Sequence, residues 1–225
     1  VGSEMCIRDR RVMLRSAISW GYWPATGLHA RPDMARKQIA VAKSMGLNML
    51  NFHRSIGSPV VLEQADSMGI LYYEEPGAIH SADHDPFIRA IVNTKLKRMV
   101  KRDRSHPSLV IYNLINELGG VRAADTALMA KRRADLVEAR SIDPSRVMTL
   151  TSGWASNEKS EEDSKFHMRP FDPVPYFRGW YDNHRAGGPA TWHDALYRNP
   201  IDQLMYCDNH TEVYMLSLIH ISEPT

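Results

Sequence analysis

The chain sets an amide and a carboxyl side by side, Asn116-Glu117, at the end of the apolar run Leu109-Val110-Ile111-Tyr112-Asn113-Leu114-Ile115, with Gly119-Gly120 just after. A short strand of the buried type therefore delivers a carboxylate at its C-terminal tip. In barrels of alternating strands and helices the reacting groups sit at the C-terminal ends of the strands, so a catalytic acid is expected at this point. Glu117 could equally cap the helix that follows, as acidic side chains do near helix N-termini. On this peptide alone both readings stand.

The elements around it supply the context. Short apolar strands alternate with amphipathic helices, which argues for a parallel α/β architecture. Residues 12–19 read as a first strand, followed by an aromatic loop, Trp20-Gly-Tyr-Trp-Pro24. A helix over 34–45 carries Met34, Ala35, Ile39, Ala42 and Met45 at helical spacing, and Gly46 ends it before a second strand at 47–52. A second helix over 59–68 stops at Gly69, ahead of a third strand at 70–73. Asp85-Pro86 opens a long helix to about residue 104, with Ile88, Ile91, Val92, Leu96, Met99 and Val100 expected inward. The fourth strand begins at Leu109, a helix spans 123–140, and a fifth strand lies at 147–150. Residues 166–168 are a candidate sixth strand, and 212–215 look like the start of a seventh. The fold class expected is a partial (β/α)8 TIM barrel with about six to seven strands.

Composition narrows the function classes. The 225 residues are 43% hydrophobic and 24% charged, with a net charge of +2. That is ample apolar material for a core and gives no reason to expect nucleic acid or an anionic membrane as partner. No apolar run approaches the roughly 18 residues that a membrane-spanning helix needs. Cys6 and Cys207 have no spacing suited to zinc. Residues 1–10 and 216–225 show no link to the patterns beside them and resemble translated sequencing-adapter ends. The expected domain is therefore 11–215, a truncated barrel, and the sequence does not indicate a compartment.

Four segments together resemble the catalytic barrel of glycoside hydrolase family 2, the β-galactosidase and β-glucuronidase group. They are AKSMGLNMLN at 42–51, ADSMGILYYEE at 65–75, KRDRSHPSLVIYNLINE at 101–117 and SIDPSR at 141–146. The third is the most specific. The resemblance implies a retaining glycosidase with an oligo- or polysaccharide substrate and no cofactor. It also implies further β-sandwich domains in the full-length protein. Its acid/base falls on Glu117, and the amide that binds near the sugar 2-hydroxyl falls on Asn116. One carboxyl protonates the leaving oxygen while a second, about 5–5.5 Å away, attacks the anomeric carbon.

Two departures bear on that implication. The family's nucleophile is a Glu at the end of strand seven, where this chain is expected to stop. Glu212 lies at that strand's start and Glu223 in the suspected foreign end, so neither is assigned, and the fragment is expected to be inactive. The segment after strand two reads NFHRSIG at 51–57, keeping a basic corner in a different register from the family's. A glycan other than a galactoside or glucuronide is thereby suggested.

Around the acid, His53 and Arg54 follow a strand and are candidates for sugar or carboxylate contact, against the alternative of ordinary loop charges. Glu75, beside Glu74, could orient a hydroxyl or tune Glu117, or form a structural salt bridge. Trp154 and Trp180 are the aromatic side chains expected to stack on sugar faces. The stretch 179–189 is expected to be a loop over the site, and His167 completes the substrate-binding set. His80, His84, His167, His184 and His193 raise a metal-dependent barrel hydrolase, but no His-x-His pair ends the first strand, and no metal ligand is assigned. A non-catalytic carbohydrate-binding barrel is the other alternative. An eight-stranded barrel loses its sheet edges only by closing, so an incomplete one should be poorly soluble or need a partner domain.

Overall fold

The computed structural model describes residues 6–7, 10–12, 14–21, 23, 25–27, 29–77, 85–116, 126–152, 167–168, 180–183 and 213–216. Within them β3 (Ser16–Ile18), β4 (Met49–Phe52), β5 (Leu71–Glu74), β6 (Leu109–Asn116) and β7 (Val147–Ser152) form one sheet in sequence order, each parallel to the next. Helices α1 (Pro32–Ser44), α2 (Pro59–Met68), α3 (Pro86–Asp103) and α4 (Thr126–Ile142) connect them. This is the succession of a (β/α)8 barrel with five parallel strands in place. A short strand, β8 (His167–Met168), follows at the edge and pairs antiparallel with β7. Parallel pairing needs a crossover, usually a helix, and the sequence between β7 and β8 carries no helical period.

Two short pairs lie apart from this sheet. β1 (Cys6–Ile7) pairs antiparallel with β2 (Arg10–Arg11), and β9 (Trp180–Asn183) pairs parallel with β10 (Val213–Leu216). Trp180 therefore belongs to a strand, where the sequence suggested a loop across 179–189.

Local signals explain the element bounds. Each of α1, α2 and α3 begins with a proline, which has no amide to leave unsatisfied in the first turn. Asp85 caps α3 by accepting from the Phe87 amide at 2.8 Å. Gly69 ends α2 in the left-handed conformation, at φ +71.

The helices cover one face of the sheet. Ala35, Ile39, Val61, Leu62, Val92, Leu96 and Leu136 pack there against Leu50, Phe52, Tyr72, Tyr112, Leu114, Met148 and Leu150. Three expected core positions differ. Met45 is the residue after α1 and is 72% exposed; Ile88 and Ile91, in the first turns of α3, are also exposed. The inward stripe of α3 is Val92, Leu96, Met99, Val100 and Asp103. Ile91 stands about 100° off that stripe, and Ile88 lies one turn too early to meet it fully. The basic run 95–104 is mainly solvated, as expected, except that Arg102 turns back toward the buried Asp103.

The motif residues of 101–108 and 143–146 stitch the strand entrances together. Asp66 of α2 accepts from the Ser108 amide at 2.9 Å and pairs with His106 Nδ1 at 2.6 Å. Arg146 donates to the carbonyls of His106 (2.8 Å) and Leu109 (2.7 Å), and its guanidinium pairs with Asp143 at 2.8 Å. Burial pushes the Asp66 carboxyl up, but the bonds from Ser108 and His106 outweigh it and hold the group below its ordinary range. These side chains serve the N-terminal ends of the strands, the end of a barrel associated with stability.

Candidate active site

Along the face turned away from the helices, each strand changes character from its start to its end. Strand alternation puts Met49, Asn51 and then His53 on this face, followed by Leu71, Tyr73 and Glu75, by Ile111 and Asn113, and by Val147 and Thr149. Met49, Tyr73 and Ile111 form an apolar plug with Leu14, Leu71, Val110 and Val147 around it. Toward the C-terminal ends the same columns become polar and stay buried. His53, Glu75, Asn113 and Thr149 are all buried, as is Asn116 at the end of β6.

Buried polar groups are costly unless hydrogen-bonded, and here they bond to one another across strands. Thr149 donates to Asn113 Oδ1 at 2.7 Å. Asn113 Nδ2 donates to Glu75 Oε1 at 3.2 Å and to the Ile115 carbonyl at 2.8 Å. Tyr73 donates its hydroxyl to the same Glu75 oxygen at 2.8 Å, and the Arg54 amide donates to Glu75 Oε2 at 2.8 Å. Glu75 therefore joins the loop after β4 to β5, β6 and β7.

Its neighbour Glu74 points to the opposite face and grips the same loop from there. Glu74 Oε1 accepts from the Gly57 amide at 2.6 Å and lies 3.5 Å from Arg102 Nη2. Arg102 in turn forks onto Asp103 at 2.7 Å and 2.7 Å and donates to the Gly57 carbonyl at 2.5 Å. Burial and the nearby Asp103 carboxylate push the Glu74 carboxyl well above its ordinary range, against the Gly57 amide and the Arg102 guanidinium. Of the two adjacent acids, Glu74 meets Arg102 and Glu75 is the hydrogen-bonding hub.

The loop so held carries His53 and Arg54, which the sequence selected. His53 is 3% exposed, and its ring meets that of Trp20 edge-on, with centroids 4.6 Å apart. Arg54 takes the left-handed conformation, at φ +55. Asn116 ends β6 at 2% exposure, in register with Ser152 of β7. The structure thus brings His53, Arg54, Glu75 and Asn116 to the C-terminal side of successive strands. Glu117 and Trp154 lie outside the described residues, as do His80, His84, His184 and His193. For His167 and Trp180 the backbone strand alone is described. Among the described residues no three His, Cys, Asp or Glu side chains are grouped to hold a metal ion, and no helix is long and apolar enough to cross a membrane. Sequence reasoning missed Asn113, Thr149 and Tyr73. Their signal was available: polar positions recurring at period two inside otherwise apolar strands.

A parallel α/β sheet with a buried polar layer at its C-terminal side defines a barrel of the enzyme type. The profile of Glycosyl hydrolases family 2, TIM barrel domain, matches residues 41–194, and the chain belongs to that family. A β-galactosidase of Lactococcus lactis is 23% identical over 52% of the chain, and a putative β-glucuronidase of Formosa agariphila is 26% identical over 60%. The chain spans 12% of the length of each of these two curated relatives. Among solved structures, the β-glucuronidase of Ruminococcus gnavus in complex with D-glucaro-d-lactam superposes over 96% of the chain and 37% of its own length, with TM-score 0.71 and 18% identity. The β-glucuronidase of Parabacteroides merdae with glycerol in its active site covers 96% of the chain and 25% of its own, with TM-score 0.66 and 16% identity. At these identities the likeness is one of fold.

Proposed function

We propose that the chain is the acid/base-bearing portion of a retaining β-glycosidase barrel that hydrolyses O-glycosidic bonds, with Glu117 as the proton donor. The observation that supports it most is the position of Asn116. It is a buried amide at the C-terminal end of β6, beside a layer of hydrogen-bonded polar groups, and Glu117 is the next residue in the chain.

In this reading the Glu117 carboxyl gives its proton to the glycosidic oxygen as the bond to the anomeric carbon breaks. A second carboxylate, which we assign to no residue of this chain, bonds to that carbon and forms a glycosyl ester. Glu117, now ionised, takes a proton from water as the water attacks the anomeric carbon and releases the ester. Asn116, His53, Arg54 and Glu75 hold or orient the glycan's hydroxyls, and Trp154, His167 and Trp180 complete the substrate-binding set. The names of the relatives support a β-linked hexoside or hexuronide as the substrate class, and further β-sandwich domains accompany the barrel in the full-length protein. The ends 1–10 and 216–225 are foreign to the domain in this reading.

The test uses the full-length enzyme. Glu117→Gln should lower turnover of alkyl glycosides by about 10²–10⁴, the range of general-acid catalysis. Glycosylation by activated aryl glycosides, which need no proton, should be spared. Equal losses on both substrate types would rule out Glu117 as the donor.

A further inference from the structure

The loop after β3 holds a tryptophan in an uncommon backbone conformation. Trp20 lies in the left-handed region, at φ +54, which costs a residue with a Cβ about 1–2 kcal/mol. The residue is also 49% exposed, so this conformation does not fully bury it. The surroundings nevertheless hold it in place. Ser55 donates its hydroxyl to the Trp20 carbonyl at 2.8 Å, and the Ser19 amide bonds to the Asn51 carbonyl at 2.8 Å. The indole stands edge-on against the buried His53 ring. Arg54, on the adjoining loop, carries the same left-handed strain. Strain of this kind, over-determined by its neighbours at the C-terminal ends of adjacent strands, motivates a ligand-holding role.

A second, independent observation comes from the strand beneath. Asn51 Oδ1 is buried and has no hydrogen-bond partner among the described residues. A buried acceptor without a donor is costly, by about 1–3 kcal/mol. Asn51 of β4 is in register with Ile18 of β3, so it stands two residues before His53 and across from the segment that leads into Trp20.

We propose that Trp20 and Asn51 form a sugar-binding subsite on the first two strands of the barrel. The indole receives the apolar C–H face of a pyranose ring, and Asn51 Oδ1 accepts a hydrogen bond from one of its hydroxyls. The pairing combines a flat apolar platform with a directed polar group, the two features such sites need. It rests on the glycoside reading above and adds two contacts to it.

The test is protection from limited oxidation by N-bromosuccinimide, using the full-length enzyme. The tryptic peptide 16–36 contains Trp20 together with the buried Trp23, and fragment ions separate the two. Methyl β-D-galactopyranoside and methyl β-D-glucopyranosiduronate are the probes, and sorbitol is the open-chain control. At least one glycoside should slow Trp20 oxidation in a saturable way, by about threefold at twice the dissociation constant. Sorbitol should not, and Asn51→Ala should abolish the protection. The wild-type titration stands alone if that variant does not fold. Protection of other tryptophans without Trp20 would overturn the subsite and leave the glycoside reading intact. No protection of any tryptophan by either glycoside would overturn the subsite, while the glycoside reading stands or falls by the Glu117→Gln test, and equal protection by sorbitol would overturn the pyranose-face argument.

Discussion

Removing Glu75 should show how much the polar layer depends on one carboxylate. Three donors converge on it: the part-buried Arg54 amide at 2.8 Å, and the buried Tyr73 hydroxyl at 2.8 Å and Asn113 Nδ2 at 3.2 Å. Glu75→Ala strands these bonds. Each unsatisfied group costs about 1–3 kcal/mol, and the tyrosine hydroxyl can rotate toward another acceptor, so the two remaining donors give an expected loss of about 2–6 kcal/mol. That is a large share of the roughly 5–15 kcal/mol a domain has in total. Glu75→Gln keeps the shape and one acceptor. Its amide nitrogen can donate to the Tyr73 oxygen but meets a second donor in Asn113, whose own oxygen is already occupied by Thr149. The expected cost is therefore smaller, about 1–3 kcal/mol. Equilibrium unfolding in guanidinium gives the energies, and hydrogen exchange at the Arg54 amide reports the loop directly. Exchange should accelerate in both variants, more in the alanine. A loss below about 1 kcal/mol for Glu75→Ala, or unchanged protection of Arg54, would refute the hub argument.

Two further outcomes follow from the other side of the same strand. The Glu74 carboxyl is raised above its unfolded value, so the stability linked to it is full below that value, about 4.5, and is lost as pH rises through the folded one; Glu74→Gln should flatten this part of the stability–pH profile, and an unchanged slope would contradict the assignment. At Gly57 an added Cβ would stand 2.3 Å from Cε2 of Phe52, whose ring is buried and stacked on Tyr72, so Gly57→Ala should lower stability by about 1–3 kcal/mol in thermal unfolding.

The sequence made the repeating units legible because each is specified locally. Helix α2 starts at Pro59 and ends before Gly69, as its proline and glycine signals require, and the apolar run from Leu109 becomes β6. What depended on distant contacts was harder to read. The pairing of Trp180–Asn183 with Val213–Leu216 joins segments far apart in the chain, and nothing in either tetrapeptide announces the other. The antiparallel course of β8 is likewise set by its partner. In the site, His53 and Arg54 were visible as polar residues after a strand, but the grip on their loop was not. It arises because adjacent glutamates point to opposite faces of β5, and only the folded chain returns Arg54 and Gly57 to meet them. Helix periodicity likewise overstated the inward face of α3, since it cannot tell where a helix outruns the sheet it lies on.

The stitches at the strand entrances have a consequence for how such a chain can assemble itself. His106 to Asp66, the Ser108 amide to Asp66, and Arg146 to the carbonyls of His106 and Leu109 span 40, 42, 40 and 37 positions respectively. Each ties one strand-and-helix step to the next and reaches no further. Bringing ends together over that distance is a modest entropic demand that barely changes from one step to another. Alignment between neighbouring strands therefore rests on bonds made within each step, and none of these four needs a closed ring.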